Sequence, residues 1–414
     1  MECQLTPKIP SSARFLFRQV ALLSERRGEP AYAVGGFVRD LVLGVPSFDL
    51  DFAVEGDALA FARDLAGAVG GAFEAFTRFG TAIVTVPAFG KVDLATTRSE
   101  SYARPAALPD VKPASLLEDL RRRDFTLNSI ALRLLPSGKT EWVDPTGGLE
   151  DLARGILRAH HAGTFEDDPT RILRGVRFEQ RFGFRIEKQT LGWLKAAVRG
   201  GFLAKVSGER VRNELRLVFA EPQPGKAVRR LSTLGVWARL YAGLKPPATL
   251  ARIAPAIRRV EGLTGPLPEP WMVWLAALAP GLRGKERNLL TERFLLSGIE
   301  NKILLQTEGF PGSVRKLFGK APPSQIHGAL QSTRSEALAL LDSQLPAAQA
   351  KRLAAYLALR NKVSSLLNGK DLIDQGFRPG PGFSGILARS YGLQLDGKVT
   401  NRSQALKWLE TQKP

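Results

Sequence analysis

The 414-residue chain has a single cysteine, Cys3, so it forms no internal disulfide and builds no cysteine zinc site. That scarcity fits a reducing cytoplasm. Its three histidines make no metal cluster, and the adjacent pair His160-His161 reads as a surface feature. No long uncharged apolar run is present, which argues against a transmembrane helix. The opening MECQLTPKIP lacks the apolar centre of a signal peptide. Acidic residues are also short: 40 Asp and Glu face 59 Lys and Arg, a net charge of +19. Such an excess implies a polyanionic partner, nucleic acid or a membrane surface. Hydrophobic residues make up 44% of the chain, enough for packed cores, and the length points to two to four domains.

The stretch from Ala31 to Val54 organises the rest. Tyr32 to Val34 is a short apolar strand candidate that ends on Gly35-Gly36. Two glycines allow a sharp turn and a close approach to a ligand, with backbone N–H groups exposed. Phe37 to Leu43 has helical spacing, and a helix starting straight after a glycine turn offers a phosphate site at its N-terminus. Gly44 and Pro46 stop it. Phe48 to Val54 alternates as a strand, with Asp49 and Asp51 on one face and Leu50 on the other. Paired carboxylates repel unless a cation lies between them, and substrate phosphates can complete such a Mg²⁺ site. Taken singly, a glycine turn and an acidic strand edge are ordinary. Together, joined by one helix, they point to phosphoryl transfer.

Gly35-Gly36-x-Val38-Arg39-Asp40 followed by Asp49-x-Asp51 resembles the signature of the bacterial-type (class II) tRNA nucleotidyltransferases, the CCA-, CC- and A-adding enzymes, and of bacterial poly(A) polymerases. The resemblance implies a polymerase β-like α/β head with a mixed sheet, followed by all-α neck, body and tail domains. It also implies two Mg²⁺ on Asp49 and Asp51, and ATP or CTP as substrate.

Further along, Ser11 to Gly28 reads as an amphipathic helix capped by Ser11 or Ser12, and Ala58 to Val69 as an alanine-rich helix. Thr81 to Val86 and Lys91 to Thr96 alternate as strands around a Pro87–Gly90 turn. Asp93 on the second strand is either a third carboxylate of the site or a polar position on a sheet edge. Arg98 to Leu117, with Pro105, Pro109 and Pro113, reads as a mobile loop. Its family counterpart helps the change from C to A addition, and RSESYARPAALPDVKP resembles the version in members that add only the terminal A.

RRRDFTLNSIAL resembles the family's RRDFTINA motif. It implies nucleotide contacts for Arg123, Asp124 and Asn128, with Arg123 on the triphosphate or sugar and Asp124 fixing its fork or the ribose hydroxyls. VDPTGGLEDL matches the close of the head. Asp168-Pro169 opens a helix as N-cap and first helical residue. Arg171, Arg174 and Arg177 follow on one face, where like charges destabilise a bare helix and an anionic ligand would relieve them. DDPTRILRGVRFEQRFGF resembles the family's EDxxR motif, with Asp167 where Glu is common. By that resemblance Asp168 and Arg171 read the base: cytosine and adenine both present an amino donor beside a ring-nitrogen acceptor, whereas uracil and guanine leave both protein groups mismatched. Gly36 and Arg39, with Arg123, would hold the triphosphate, Arg174 and Arg177 would line the pocket, and Gly35 belongs with the nucleotide-binding residues.

SGERVRNEL resembles the last shared motif and reads as a structural helix with internal ion pairs. Beyond it the chain is helix after helix, with loops at Lys245–Pro247, Gly265–Pro270 and Pro311-Gly312 and with Trp271, Trp274 and Trp408 as core candidates. LLNGKDLIDQGFRPGPGFSGIL, carrying Lys370 and Arg378, resembles the tail that holds the tRNA elbow. The expected division is a head over 1–150, a neck over 151–225, a body over 226–345 and a tail over 346–414. The expected activity is cytoplasmic addition of all or part of the CCA end to tRNA, leaning to A addition. The expected partners are the tRNA acceptor arm and elbow, with no membrane and no obligate protein partner. A poly(A) polymerase is the alternative within the superfamily. A non-catalytic RNA-binding protein is the alternative of another class.

Overall fold

A computed structural model describes residues 9–47, 49–77, 80–87, 89–308, 310 and 312–412. Cys3, Phe48, Ala88 and Pro311 therefore lie outside the described residues. The chain divides into two compact units, one ending at Arg210 and one starting at Val211.

The first unit is built on a seven-stranded sheet with strands β1 (Ala31–Val34), β2 (Leu50–Val54), β3 (Ala72–Phe76), β4 (Thr81–Val86), β5 (Gly90–Thr96), β8 (Ala131–Leu134) and β9 (Thr140–Val143) in the order β3-β4-β5-β2-β1-β8-β9. Only β2 and β5 pair in parallel, so the sheet is mixed as expected. Helices α1 (Ser11–Arg27) and α3 (Ala58–Val69) pack together on one face. There Phe17 meets Phe37 at 5.8 Å and Phe52 at 5.4 Å, centroid to centroid. On the opposite face Tyr32, Val34, Ala53 and Ala131 pack on Leu116 and Leu120 of α4 (Leu116–Arg121). All four residues of β1 are buried, as a central strand covered on both faces requires.

Local chemistry sets the ends of these elements. Asp57 caps α3 by accepting from the N–H groups of Leu59 and Ala60, and Ser115 forms a capping box with Glu118 on α4. At α1 the expected serine cap is absent: Pro10 takes the N-cap position without a side-chain bond.

One correction concerns 98–117. Residues Arg98–Ser101 (β6) and Asp110–Pro113 (β7) form an antiparallel hairpin, and α4 follows. Glu100 ties the hairpin down through Arg122, at 2.6 Å. The prolines sit where a ladder can tolerate them, Pro113 at its end and Pro105 and Pro109 outside it.

The remainder of this unit is helical. It includes α5 (Gly148–Arg154), α6 (Thr164–Asp167), α7 (Thr170–Phe182), α8 (Lys188–Arg199) and the start of α9 (Gly208–Ala220), with a two-stranded parallel pair, β10 (Ile156–Leu157) and β11 (Arg185–Ile186).

The second unit is helical throughout its described residues. Phe219 stacks between Trp237 and Trp274 at 6.5 and 5.9 Å, and all three are buried. Trp271 and Trp274 are buried, and Trp408 packs on a C-terminal cluster formed by Leu367, Leu372, Val399, Ala405 and Leu409. No helix among the described residues is long and apolar enough to cross a membrane.

Candidate active site

The register of β2 against β5 brings Asp93 to the other two carboxylates. Asp51 stands opposite Asp93, and the two side chains share one face because the strands are parallel and in step. Asp49, just before β2, joins them: one oxygen from each carboxylate lies within 4.8 Å of the others. Burial, then Asp49 and Asp93, push the Asp51 carboxyl up to about 6, against the opposing pull of Arg123. Burial and Asp49 also raise Asp93. Three converging oxygen ligands under mutual repulsion fit a hard divalent cation such as Mg²⁺, which would remove the stress.

The glycine turn lies against this cluster. Gly35 has φ +72°, which only glycine adopts without strain, and a side chain there would come within 3.2 Å of Arg123 Nη1 and 3.5 Å of Asp51 Oδ2. Helix α2 (Gly36–Leu43) starts immediately after it. Arg123 is held from behind: its Nε and Nη2 donate to Asp119 Oδ2 at 3.3 and 2.8 Å. Asp119, two per cent exposed, also takes Arg122 at 2.6 Å. The spacing of Asp119 to Arg122 and Arg123, three and four residues along a helix, carried this signal, and the motif reading passed over it.

Of the two roles expected of Asp124, fixing the Arg123 fork is the one it does not fill, because Asp119 holds that fork. Its Oδ2 pairs with Arg174 at 2.8 Å, and its Oδ1 accepts from Asn128 Nδ2 at 2.9 Å. Burial alone would raise this carboxyl, but Arg174, the Asn128 amide and Arg171 hold it at about 2. Asn128 in turn accepts from Arg39 Nη1 at 2.8 Å. Arg39 is buried, also pairs with Asp40 at 2.8 Å, and lies over the rings of Phe178 and Phe182. A continuous chain therefore runs Arg39–Asn128–Asp124–Arg174.

The arginines of α7 are likewise relieved within the protein. Arg174 has Asp124, and Arg171 donates to the carbonyls of Arg122 at 2.8 Å and Thr164 at 3.4 Å. Arg177 is buried with its guanidinium 4.8 Å from the Phe178 ring centroid. Asp168 has extended dihedrals (φ −131°, ψ 94°), Pro169 is already helical, and Asp168 Oδ1 accepts from the Thr170 N–H at 2.9 Å. Pro169 takes the N-cap position of α7, and the Asp168 side chain caps the first turn from one residue earlier. The same oxygen pairs with Arg210 Nη2 at 2.7 Å, so the motif of α9 does more than hold itself together.

His160 overturns its reading as a surface residue. It is half-buried, its Nε2 lies 2.7 Å from Ser129 Oγ, and burial pushes its imidazole down to about 4. Ser129 follows the 3-10 turn that carries Asn128, so the pair braces that turn. Nothing in the local pattern marks it. Lys370 and Arg378 both lie exposed in the second unit.

The Poly A polymerase head domain model matches residues 31–158, and a model described as the probable RNA and SrmB-binding site of polymerase A matches residues 183–246. The A-adding tRNA nucleotidyltransferase of Halalkalibacterium halodurans is 33% identical over 91% of this chain and 87% of its own length. That of Geobacter sulfurreducens is 32% identical over 96% of this chain, which spans about half (47%) of that longer protein. The Thermotoga maritima CCA-adding enzyme, solved in complex with tRNA, superposes with a TM-score of 0.83 at 28% identity, covering 97% of this chain and 96% of that one. With the carboxylate cluster, the glycine turn and the arginine helix all in place, the chain belongs to the family of tRNA nucleotidyltransferases and poly(A) polymerases.

Proposed function

We propose that this chain transfers AMP from ATP to the 3′-hydroxyl of a tRNA ending in CC and releases pyrophosphate. The observation that carries the reading is the convergence of Asp49, Asp51 and Asp93 beside the Gly35 turn and Arg123. Asp49 and Asp51 would hold two Mg²⁺, with Asp93 as the third carboxylate beside them. The metal ions, when bound, lower the pKa of the attacking hydroxyl and offset charge on the departing pyrophosphate.

The protein's own groups bind and orient. Arg123, held by Asp119, presents Nη1 to the triphosphate, and the Gly35-Gly36 turn lets the phosphates approach the backbone. Arg39, Asn128, Asp124 and Arg174 form the rigid floor on which the sugar and base rest, with Arg177 beside it. Asp168 and Arg171 read the amino donor and ring-nitrogen acceptor of the base. Lys370 and Arg378 belong to a tail, residues 346–414, that grips the tRNA elbow, behind a head (1–150), neck (151–225) and body (226–345). tRNA and ATP as substrates place the work in the cytoplasm.

A addition is preferred over CC or CCA addition for two reasons. Among relatives matched over most of both chains, the A-adding one is 33% identical, against 28–31% for CC- and CCA-adding ones. The 98–113 segment is a short hairpin bonded to its surroundings. The test is a panel of three tRNA transcripts, ending in the discriminator base, in C and in CC, each incubated with single nucleotides. Addition of one A to the CC end alone supports the proposal. Addition of C to the shorter ends, or a long A tail, overturns it.

A further inference from the structure

We infer that Arg210 is a positioning residue that ties the tip of the β6–β7 hairpin to the Asp168 carboxylate and thereby sets the preference for adenine over cytosine. The inference rests on the assignment of Asp168 as a base reader.

Arg210 sits in the first turn of α9, where its N–H donates to Ser207 Oγ at 3.4 Å. Its guanidinium divides between two partners. Nη2 is 2.7 Å from Asp168 Oδ1, and Nη1 donates to the Ala106 carbonyl at 3.2 Å. Ala106 is at the hairpin tip, and its N–H donates to the Glu166 carbonyl at 3.1 Å. Its N–H is therefore bonded to α6, which leads directly into Asp168, and its carbonyl to the arginine that pairs with Asp168. Ala106 also has φ +65°, one of only two non-glycine residues with positive φ among the described residues. An alanine rests there only when its surroundings over-determine it, and such strain clusters at functional sites.

Asp168 shows what the clamp accomplishes. Its Oδ1 accepts from the Thr170 N–H at 2.9 Å and from Thr170 Oγ1 at 2.6 Å, and pairs with Arg210 Nη2 at 2.7 Å. Its Oδ2 accepts no bond from the described residues. One oxygen fixes the carboxylate and the other is left for an amino donor. The second base reader is tied to the same hairpin. Arg171 Nη2 donates to the Arg122 carbonyl at 2.8 Å, and the Arg122 side chain pairs with Glu100 of β6 at 2.6 Å. Cytosine and adenine offer the same donor–acceptor pair on rings of different size. A site that separates them must therefore do so by where its own two groups are held. Arg210 holds one of them and reads the hairpin with its other nitrogen.

The experiment measures kcat/KM for ATP and for CTP on tRNA ending in CC. It uses the full chain and its Arg210→Lys, Arg210→Gln, Asp168→Asn and Arg210→Gln/Asp168→Asn variants, each with its Tm. The expected result is a fall in the ATP-to-CTP ratio of about tenfold or more in Arg210→Gln, with partial retention in Arg210→Lys. The ratio in the double variant should be no lower than in Asp168→Asn alone, because Arg210 acts through Asp168. A wild-type ratio in Arg210→Gln beside a lowered one in Asp168→Asn makes Arg210 a merely structural ion-pair partner and overturns the inference. A wild-type ratio in Asp168→Asn with kcat/KM lowered for both nucleotides leaves Asp168 a reader of the shared amino group but overturns the inference; wild-type kcat/KM for both nucleotides overturns the base-reading assignment as well. Additive effects in the double variant also overturn it. Should Arg210→Gln fold poorly, Ala106→Val undocks the tip without touching either charged group, since β-branched residues resist positive φ. It should shift the ratio in the same direction, and an unchanged ratio counts against the inference.

Discussion

Asp51 stands directly opposite Asp93 in the parallel pairing of β2 with β5, and Asp49 completes a triangle of carboxylates whose nearest oxygens lie within 4.8 Å. Burial and the neighbouring carboxylates raise Asp51 to about 6, and burial and Asp49 raise Asp93. The first prediction follows from this crowding. Asp49→Asn or Asp51→Asn abolishes transfer but leaves tRNA affinity nearly intact, since one carboxylate subtracts little from a surface with a net charge of +19. Addition of Mg²⁺ raises the Tm of the wild-type protein and does so less in the Asn variants. Near-wild-type turnover in either variant, or an identical Mg²⁺ response, contradicts the assignment.

Arg123 is the second subject. With two of its nitrogens on Asp119, the third lies beside Gly35. Arg123→Ala removes a charge-assisted contact worth about 1.5–3 kcal/mol, so kcat/KM for ATP should fall roughly 10- to 100-fold. Gly35→Ala strains the backbone at φ +72° and presses on Arg123 Nη1, and it should also lower kcat/KM. Steady-state kinetics at saturating tRNA decides both; an unchanged kcat/KM in Arg123→Ala rules out a triphosphate contact.

The reading of these residues shows where sequence pattern is informative. Gly35, Asp49 and Asp51 are legible because a glycine turn and a two-residue repeat have local geometric meaning. Asp93 needed the register of strands some forty residues apart. The hairpin at 98–113 reads as a loop because its ladder is short and polar, and what orders it is Glu100 meeting Arg122. The arginine row of α7 reads as an empty anion site. The anion that answers Arg174 is Asp124, from a segment the helix period says nothing about. His160 and Arg210 are invisible for the same reason, since each acts through one long-range hydrogen bond or ion pair.

Acid unfolding is the third prediction. His160 is held neutral, its folded pKa lowered to about 4, so the unfolded chain binds the extra proton first and stability declines as pH falls from about 6.5 towards 4. Asp124 is held ionised at about 2, so its contribution is present above the ordinary carboxylate pKa and is lost as pH falls from about 4 through 2. Urea unfolding at a series of pH values should show His160→Gln flattening the upper part of the profile only. Asp124→Asn removes one anionic partner of Arg174, lowers stability at neutral pH and flattens the lower part. A His160→Gln profile parallel to wild type between pH 4 and 6.5 contradicts the burial of that imidazole.

The fourth prediction concerns the exposed pair Lys370 and Arg378. If they meet tRNA phosphates, replacing both with Gln weakens tRNA binding and lowers the slope of log K against log salt by about 1 to 2. KM for ATP should not move. Filter binding across a salt series makes the comparison, and an unaltered slope removes both residues from the tRNA contact.

The central claim is tested most directly by counting product. Purified protein with Mg²⁺, excess ATP and a tRNA ending in CC should release one pyrophosphate per tRNA and then stop. Many pyrophosphates per tRNA would make the chain a poly(A) polymerase, and none would make it a binding protein on a nucleotidyltransferase scaffold; either result contradicts the account.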